Sequence, residues 1–201
     1  AVISIYLGDQ LADVVAQLEK GAPTSSKHGG TMKIGVDTLP PLPKDATDRN
    51  RTSPFAFTGN KFEFRAPGSS VSCALPNTIL NTVVAEAMDR IAAALEAADV
   101  VGKNEPGKHT AAFHDTLQTI LQDIVKTHKR IIFNGDGYTT GWLEEAAKRG
   151  LPNAPTTPEA MKAFTRKENV EVFEKAGVFT EREMKSRYEI AMEDYTAKVE
   201  I

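Results

Sequence analysis

The clearest structural signal in this chain comes from five residues, Lys61-Phe62-Glu63-Phe64-Arg65. Successive side chains of a β-strand point to opposite faces of the sheet. A strand here would therefore carry all three charged residues on one face and both phenylalanines on the other. We predict that the aromatic face is buried in a core, while the opposite face presents a carboxylate between two cations.

A second basic element comes just before this strand. It reads Asp48-Arg49-Asn50-Arg51-Thr52-Ser53-Pro54-Phe55, and Ala56-Phe57-Thr58-Gly59-Asn60 joins it to the charged strand. The Gly-Asn pair between two aromatic runs is typical of a tight turn. The sequence therefore predicts a β-hairpin that brings the two basic elements together.

The composition is that of an ordinary soluble globular protein, with 201 residues, 41% hydrophobic and 25% charged. A net charge of -3 argues against a general nucleic-acid binder, which is usually basic. No apolar run reaches the ~18 residues that a membrane helix needs. The single cysteine, Cys73, excludes an internal disulfide, so we expect a cytoplasmic protein.

The start of the chain is unusual for a complete protein. It has no initiator methionine and opens inside an apolar, β-favouring run at residues 1–7. A strand with nothing to pair it is rare at the beginning of a protein. We therefore expect the sequence to be a piece of a longer chain.

Beyond residue 76 the sequence becomes almost wholly helical, and hydroxyl residues or prolines mark the helix starts. We predict an α+β, mostly helical fold, with a small antiparallel sheet in the N-terminal third followed by a helical C-terminal region. An earlier helix is predicted to be capped by Asp9 and to end at Gly21. The later predicted starts are Pro76, Thr110, Thr139 or Thr140, Thr157, and the capping boxes Thr165–Glu168 and Thr180–Glu183.

Apolar stripes at helical spacing predict which helix faces are buried. The stripe of the last helix consists of Met184, Tyr188, Ala191, Tyr195 and Val199. The stripe of the long helix that begins near Pro76 consists of Leu80, Val84, Met88, Ile91 and Leu95.

Two interpretations of the charged strand face are open. A solvated face with cross-strand ion pairs would contribute only about 0–1 kcal/mol for each pair. Alternatively, Glu63 binds Mg²⁺ or Mn²⁺, Arg65 holds a carboxylate or phosphoryl group through two bonds, and Lys61 adds positive charge for a polyphosphate. One carboxylate cannot complete a metal site, so the remaining ligands would have to come from elsewhere.

Residues 48–65 resemble the catalytic-domain signature of glutamine synthetase, specifically type III. The resemblance covers nearly the whole chain and thins after about residue 158. Asn50-Arg51-Thr52 is similar to the Asn-Arg-Ser element of that family. Other types carry a further arginine soon after this element, where this chain has Phe55 and Phe57. Other similar stretches are residues 3–11, 42–45, 68–70, 76–86, 128–135 and 137–138.

The resemblance implies ATP-dependent joining of glutamate to ammonia, with ATP and Mg²⁺ or Mn²⁺ as cofactors. It implies that Arg51 and Arg65 are catalytic, with Arg51 on nucleotide phosphates and Arg65 on the transferring phosphoryl group and the substrate carboxylate. Glu63 would be the metal ligand. The implied nucleotide-binding residues are Asn50, Arg51, Ser53 and Lys61.

The resemblance also implies a domain organisation. Residues 1–100 would be the C-terminal part of the catalytic domain, and residues 101–201 a C-terminal helical region. The parent would assemble into homo-oligomeric rings (a dodecamer) and bind neither nucleic acid nor membrane. The other metal ligands would precede Ala1, so we expect the isolated chain to be inactive. An alternative is a non-catalytic helical module for assembly.

Overall fold

A computed structural model describes residues 2–22, 24, 31–32, 42–43, 48, 51–66, 68, 70–98 and 109–199. The predicted α+β, mostly helical fold is confirmed. The strands are β1 (Ile5–Tyr6), β2 (Thr31–Met32), β3 (Leu42–Pro43), β4 (Phe55–Phe57) and β5 (Phe62–Phe64). The α-helices are α1 (Gly8–Lys20), α2 (Ala74–Ala97), α3 (Ala111–His128), α4 (Thr140–Lys148), α5 (Thr157–Met161), α6 (Lys167–Lys175) and α7 (Glu181–Val199).

The chain forms two compact units, and each unit draws on two separate segments. Unit 1 contains Ala1–Pro67 and Gly102–Pro152, and unit 2 contains Gly68–Val101 and Asn153–Ile201. The predicted boundary near residue 100 separates part of a catalytic domain from a C-terminal helical region. That division stays a prediction. In the described part of both units, no helix combines the length and apolarity needed to cross a bilayer.

The sheet of unit 1 has the strand order β1-β4-β5. Strands β4 and β5 form the predicted hairpin, with Ala56 opposite Glu63 and the backbone N–H of Thr58 bonded to the carbonyl of Lys61 at 2.8 Å. The sheet is not purely antiparallel as predicted, because β1 pairs with β4 in parallel. The connection from β1 to β4 includes helix α1 and is long enough for such a crossover. Strands β2 and β3 pair separately, antiparallel.

The phenylalanines of the hairpin share one face and contact one another. The rings of Phe55 and Phe62 stack at 5.5 Å, and those of Phe57 and Phe62 meet at 5.3 Å. Phe64 lies 6.2 Å from Phe55. The predicted burial of Phe62 is wrong, since its side chain is nearly half exposed. Strand β5 is an outer strand of this sheet, and its Phe62 contacts the cross-strand rings of Phe55 and Phe57.

The core of unit 1 is built around Trp142, which is fully buried on α4. Its ring stacks on Phe133 at 4.6 Å, and its indole N–H donates to the carbonyl of Val2 at 2.9 Å. The hydroxyl of Thr139 accepts the backbone N–H of Trp142, which confirms the predicted helix start. Gly150 ends this helix region with φ of 66°, as its sequence position predicted.

Helix α1 packs against α3 in unit 1, and Gly21 ends it in a left-handed conformation. The predicted cap by Asp9 is wrong, because Asp9 lies inside the first turn and Leu7 occupies the cap position. The side-chain oxygen of Asn134 instead accepts the backbone N–H groups of Leu7 (3.0 Å) and Gly8 (3.2 Å). A residue distant in sequence therefore accepts two of the backbone N–H groups at this helix end.

The core of unit 2 forms where α6 and α7 meet the segment Lys162–Thr165, which precedes α6. Met184 on α7 is buried there and Tyr188 packs against this core, as the stripe predicted, but Val199 at the end of the same stripe is 65% exposed. The Thr180–Glu183 capping box is confirmed by the bond from the backbone N–H of Thr180 to the Glu183 carboxylate at 2.8 Å. The other buried members of this core are Phe164, Val170 and Phe173.

The second predicted capping box does not form. The hydroxyl of Thr165 donates to the carbonyl of Lys162, and α6 begins at Lys167 without a side-chain cap. A capping box instead links Thr156 to Glu159 at the N-terminus of α5, which begins at Thr157 as predicted. Thr156–Glu159 and Thr165–Glu168 both have the Thr-x-x-Glu pattern, and the pattern alone does not show which of them forms a capping box.

Two of the five residues in the stripe predicted for α2 are solvent-exposed, whereas Leu80, Ile91 and Leu95 are half-buried. Val84 and Met88 are each more than half exposed. The face of α2 that contacts the core of unit 2 carries Leu75 and Ile79, and Thr82 is buried on the same side. Because α2 has apolar residues on more than one side, helical spacing alone does not identify the covered face.

Candidate functional site

An open cleft of about 540 Å³ lies in unit 1, beside the charged strand β5. Its lining combines two guanidinium groups, one carboxylate and one phenol ring. The lining residues are Arg51, Glu63, Phe64, Arg65, Ala66 and Tyr138.

Lys61, Glu63 and Arg65 lie on one face of the hairpin, as strand alternation predicted. Lys61 Nζ is 3.3 Å from Glu63 Oε1, and Arg65 Nη2 is 3.1 Å from Glu63 Oε2. The hydrogen bond from Arg65, followed by that from Lys61, holds the pKa of Glu63 below its usual value. Glu63 is therefore an ionised carboxylate at the cleft, with a cation on each oxygen.

Arg65 is held by a second carboxylate, Asp48. Arg65 Nη1 donates to Asp48 Oδ2 at 2.7 Å and to the Ser53 carbonyl at 3.3 Å. Nη2 donates to the Asp48 carbonyl at 3.2 Å, besides its bond to Glu63. Burial alone would lower the pKa of Arg65, but its bonds to Glu63 and Asp48 raise it above the usual value. The guanidinium group therefore stays charged.

Asp48 is buried and accepts bonds on both carboxylate oxygens. Oδ1 accepts the backbone N–H of Thr52 at 3.0 Å and its hydroxyl at 2.7 Å, and Oδ2 accepts the backbone N–H of Ser53 at 2.9 Å. Burial raises the pKa of this carboxyl, but the bonds from Thr52, Ser53 and Arg65 outweigh burial and lower it. Asp48 thus joins residues 51–53 to Arg65.

Arg51 lines the cleft. Its backbone N–H donates to the Asp48 carbonyl at 3.2 Å, and its φ of 54° lies in the left-handed region that non-glycine residues seldom adopt. The next carbonyl, of Thr52, accepts the backbone N–H of Gly137 at 2.7 Å. This contact brings the loop that carries Tyr138 to the same cleft.

The other predicted site residues have different positions. Lys61 is exposed beside Glu63. Ser53 does not line the cleft, because it is fully buried and its hydroxyl bonds to the carbonyls of Ser4 (3.2 Å) and Phe55 (3.0 Å). Asn50 lies outside the described residues.

Asp48 and Tyr138 were missed as members of the site. Asp48 precedes Thr52 and Ser53 at the spacing of a side chain that closes a turn, and that spacing was a usable signal. Its bond to Arg65 spans 17 residues, and no local pattern indicates it. Tyr138 carries no signal of its own, since it reaches the cleft through the contact of Gly137 with Thr52.

The residues present fit one part of a metal site. Glu63 offers hard carboxylate oxygens at an open cleft, which suits Mg²⁺ or Mn²⁺. Among the described residues, no group of three or more His, Cys, Asp or Glu side chains could hold a metal ion. A divalent cation at Glu63 would compete with Lys61 and Arg65 for the same two oxygens.

Comparison with known proteins relates the whole chain to one family. Residues 116–201 match the family model described as the glutamine synthetase C-terminal domain. All 201 residues align at 41% identity with the type-3 glutamine synthetase of Dictyostelium discoideum. Glutamine synthetases of Bacteroides fragilis (strain YCH46) and Butyrivibrio fibrisolvens align over the whole chain at 38% and 37% identity. The chain spans about a quarter of the length of these relatives (26% or 27%).

Proposed function

Because the chain belongs to the glutamine synthetase family, we propose that it is part of an ATP-dependent glutamate–ammonia ligase. In the proposed reaction the γ-carboxylate of glutamate attacks the terminal phosphorus of ATP, which forms γ-glutamyl phosphate and releases ADP. Ammonia then displaces phosphate from the γ-glutamyl phosphate. The observation that carries the proposal is the convergence of Arg51, Glu63 and Arg65 on one open cleft.

The chemistry requires two anions to approach each other, and the cleft carries the charges that reduce their repulsion. We propose that Arg65 holds the transferring phosphoryl group and the substrate carboxylate. Arg51 would bind nucleotide phosphates, with Lys61 supplying further positive charge. A guanidinium group suits both roles, because it can donate two parallel bonds to a phosphate or carboxylate.

The same proposal assigns Glu63 as one ligand of Mg²⁺ or Mn²⁺. When bound, the metal ion would neutralise phosphate charge beside the reacting atoms. Further ligands would come from parts of the protein outside this chain. The resemblance also supports Asn50 as a nucleotide-binding residue. Since Ser53 is buried and its backbone N–H donates to Asp48, its proposed contribution to nucleotide binding is indirect, through Asp48.

For the complete protein we propose glutamate, ammonia and ATP as ligands and a cytoplasmic location, which the single cysteine fits. We also propose assembly into homo-oligomeric rings. A second candidate is a non-catalytic helical module for assembly. The exposed apolar side chains of Val84 and Met88 on α2 favour this candidate, because an uncovered apolar face favours burial against another surface.

Substitution of Glu63 in the full-length enzyme tests the proposal. Glu63→Ala is expected to abolish glutamine formation and to leave the oligomer intact by size-exclusion chromatography, because Glu63 is partly exposed outside the core. A matched control is Glu145→Ala, which removes the exposed partner of Arg149 on α4 and should leave activity near wild type.

Substitution of Met184 and Tyr188 should harm folding or assembly first, because Met184 is buried in the core of unit 2 and Tyr188 packs against it. The reverse pattern, with an active Glu63→Ala enzyme, would overturn the ligase assignment of this cleft and favour the assembly module.

A further inference from the structure

Asp48 is the one charged residue that is buried in the described part of the chain. Burial of a carboxylate is unfavourable unless charged partners and hydrogen bonds compensate for lost hydration. Asp48 has these partners in Thr52, Ser53 and Arg65. Substrates do not need to contact the Asp48 carboxylate, so its role is to hold the residues that it bonds.

The bonds to Arg65 fix the plane of its guanidinium group. The carboxylate of Asp48 accepts from Nη1, and the backbone carbonyl of the same residue accepts from Nη2. Because the guanidinium group is planar and rigid, two such contacts define its orientation. Glu63 then accepts from Nη2 at the side that faces the cleft.

The two acids that share Arg65 hold it with different strength. The contact with Asp48 is 2.7 Å long and its carboxylate is 3% exposed, whereas the contact with Glu63 is 3.1 Å and that carboxylate is 39% exposed. A shorter ion pair away from water is screened less and interacts more strongly. Arg65 therefore stays on Asp48 when Glu63 engages another cation.

We propose that Asp48 is a positioning residue for Arg65, which keeps the guanidinium group aimed at the transferred anionic group while Glu63 is free to bind a cation. This inference rests on the proposed function, because it assumes that Arg65 contacts the reacting group. Without the Asp48 charge, Arg65 would be drawn onto Glu63, and both side chains would be lost to the reaction.

A double-mutant cycle in the full-length enzyme tests the proposal. Asp48→Asn keeps the size of the side chain and an oxygen for Thr52 but removes the charge that holds Arg65. We expect kcat to fall roughly 10- to 100-fold, because small misplacement of a catalytic group has effects of about this size. The dissociation constant for ATP, measured by calorimetry without glutamate, should change less than about threefold, since this loss concerns the transferred group rather than ground-state binding.

The cycle is completed with Arg65→Gln and the double variant. Because Asp48 acts through Arg65, the double variant should be within about twofold of Arg65→Gln alone. Glu145→Gln is the matched control, since it removes the acidic partner of Arg149, a different arginine of unit 1. It should leave kcat unchanged.

The possible failures differ from one another. If Asp48→Asn slows the Arg65→Gln enzyme by the same factor as wild type, or if ATP binding is lost in proportion to kcat, Asp48 supports the fold generally and the proposal is wrong. If Arg65→Gln leaves glutamine formation unchanged, the role of Arg65 in the proposed function is wrong as well.

A milder variant covers the case in which Asp48→Asn does not fold. Thr52→Val removes one hydroxyl bond to Asp48. It should lower kcat about threefold, and that effect should disappear in the Arg65→Gln background. An equal effect in both backgrounds would overturn the proposal.

Discussion

At the scale of single residues, the described charged side chains in and beside the cleft nearly balance one another. The cations Lys61 and Arg65 are paired with the acids Glu63 and Asp48. Arg51 adds a further cation to the lining. Because the paired charges offset one another, Arg51 gives the cleft a positive excess that favours an anionic ligand.

The ionisation of Asp48 predicts an acid-sensitive contribution to stability. Its folded-state pKa lies below the ordinary value of 3.8, so the contribution is present above pH 3.8 and is lost as pH falls through the lower folded-state value. We expect the difference in melting temperature between wild type and Asp48→Asn to shrink below about pH 4. Thermal melts from pH 7 to pH 3 measure this difference. A difference that stays constant over this range would contradict the prediction.

Gly137 predicts a steric limit beside the cleft. A Cβ atom at this position would lie 2.6 Å from Ser4 Oγ and 3.4 Å from the Thr52 carbonyl oxygen. Gly137→Ala should therefore destabilise the protein by about 1–3 kcal/mol, as overpacking usually does. Urea unfolding monitored by Trp142 fluorescence measures the change.

Gly141→Ala is the matched control for this substitution. The nearest atom to a Cβ there is Thr139 Oγ1 at 3.8 Å, and the residue lies within α4. Alanine is favoured over glycine in helices, so this variant should be neutral or more stable by up to about 1 kcal/mol. Equal destabilisation of both variants would mean that space at Gly137 is not the cause.

At the scale of secondary-structure elements, helix α1 depends on a cap supplied by another part of unit 1. Asn134→Ala should lower stability by about 0.5–2 kcal/mol, because it leaves the N–H groups of Leu7 and Gly8 without their side-chain acceptor. Asn134→Asp keeps the acceptor and places a negative charge at a helix N-terminus, so it should retain stability. Chemical denaturation of both variants decides the matter. Loss of stability in both would contradict a capping role.

Element starts could be predicted from sequence where the determining contact is local. Thr110 and Thr139 each accept an N–H three residues ahead, so the sequence contains both partners within one turn. The cap of α1 could not be predicted, because Asn134 lies 127 residues from Leu7. The parallel pairing of β1 and β4 is likewise non-local, and nothing in the short β1 segment specifies its partner.

The candidate site likewise has some residues that local sequence predicts and others that only long-range contacts bring in. Strand alternation was enough to predict that Lys61, Glu63 and Arg65 share a face, because it depends only on the period of a strand. Asp48 and Tyr138 join the site through long-range contacts, and a single sequence contains no record of those contacts. The predicted burial of Val84 and Met88 failed for a related reason. An apolar stripe identifies one side of a helix, but it does not identify the surface that would cover that side.

At the scale of the whole molecule, the chain aligns with about a quarter of the length of its relatives. It supplies one carboxylate to the proposed metal site. We predict that the isolated 201-residue chain forms no glutamine and catalyses no γ-glutamyl transfer. The physical reason is that one carboxylate cannot hold and orient a divalent ion at the reacting phosphate. A coupled assay with the full-length enzyme as positive control measures this, and turnover by the isolated chain would refute it.

Solvent exposure falls steadily along the row of charged side chains from Lys61 through Glu63 and Arg65 to Asp48. The side chains are 64%, 39%, 17% and 3% exposed in that order. Dissolved ions weaken contacts in open water far more than those shielded by protein. An arriving cation would therefore detach the ammonium group first, while the innermost pair still held. Ligand exchange at Glu63 would begin on its Lys61 side, from bulk solvent, and proceed inward without disturbing the anchor behind it.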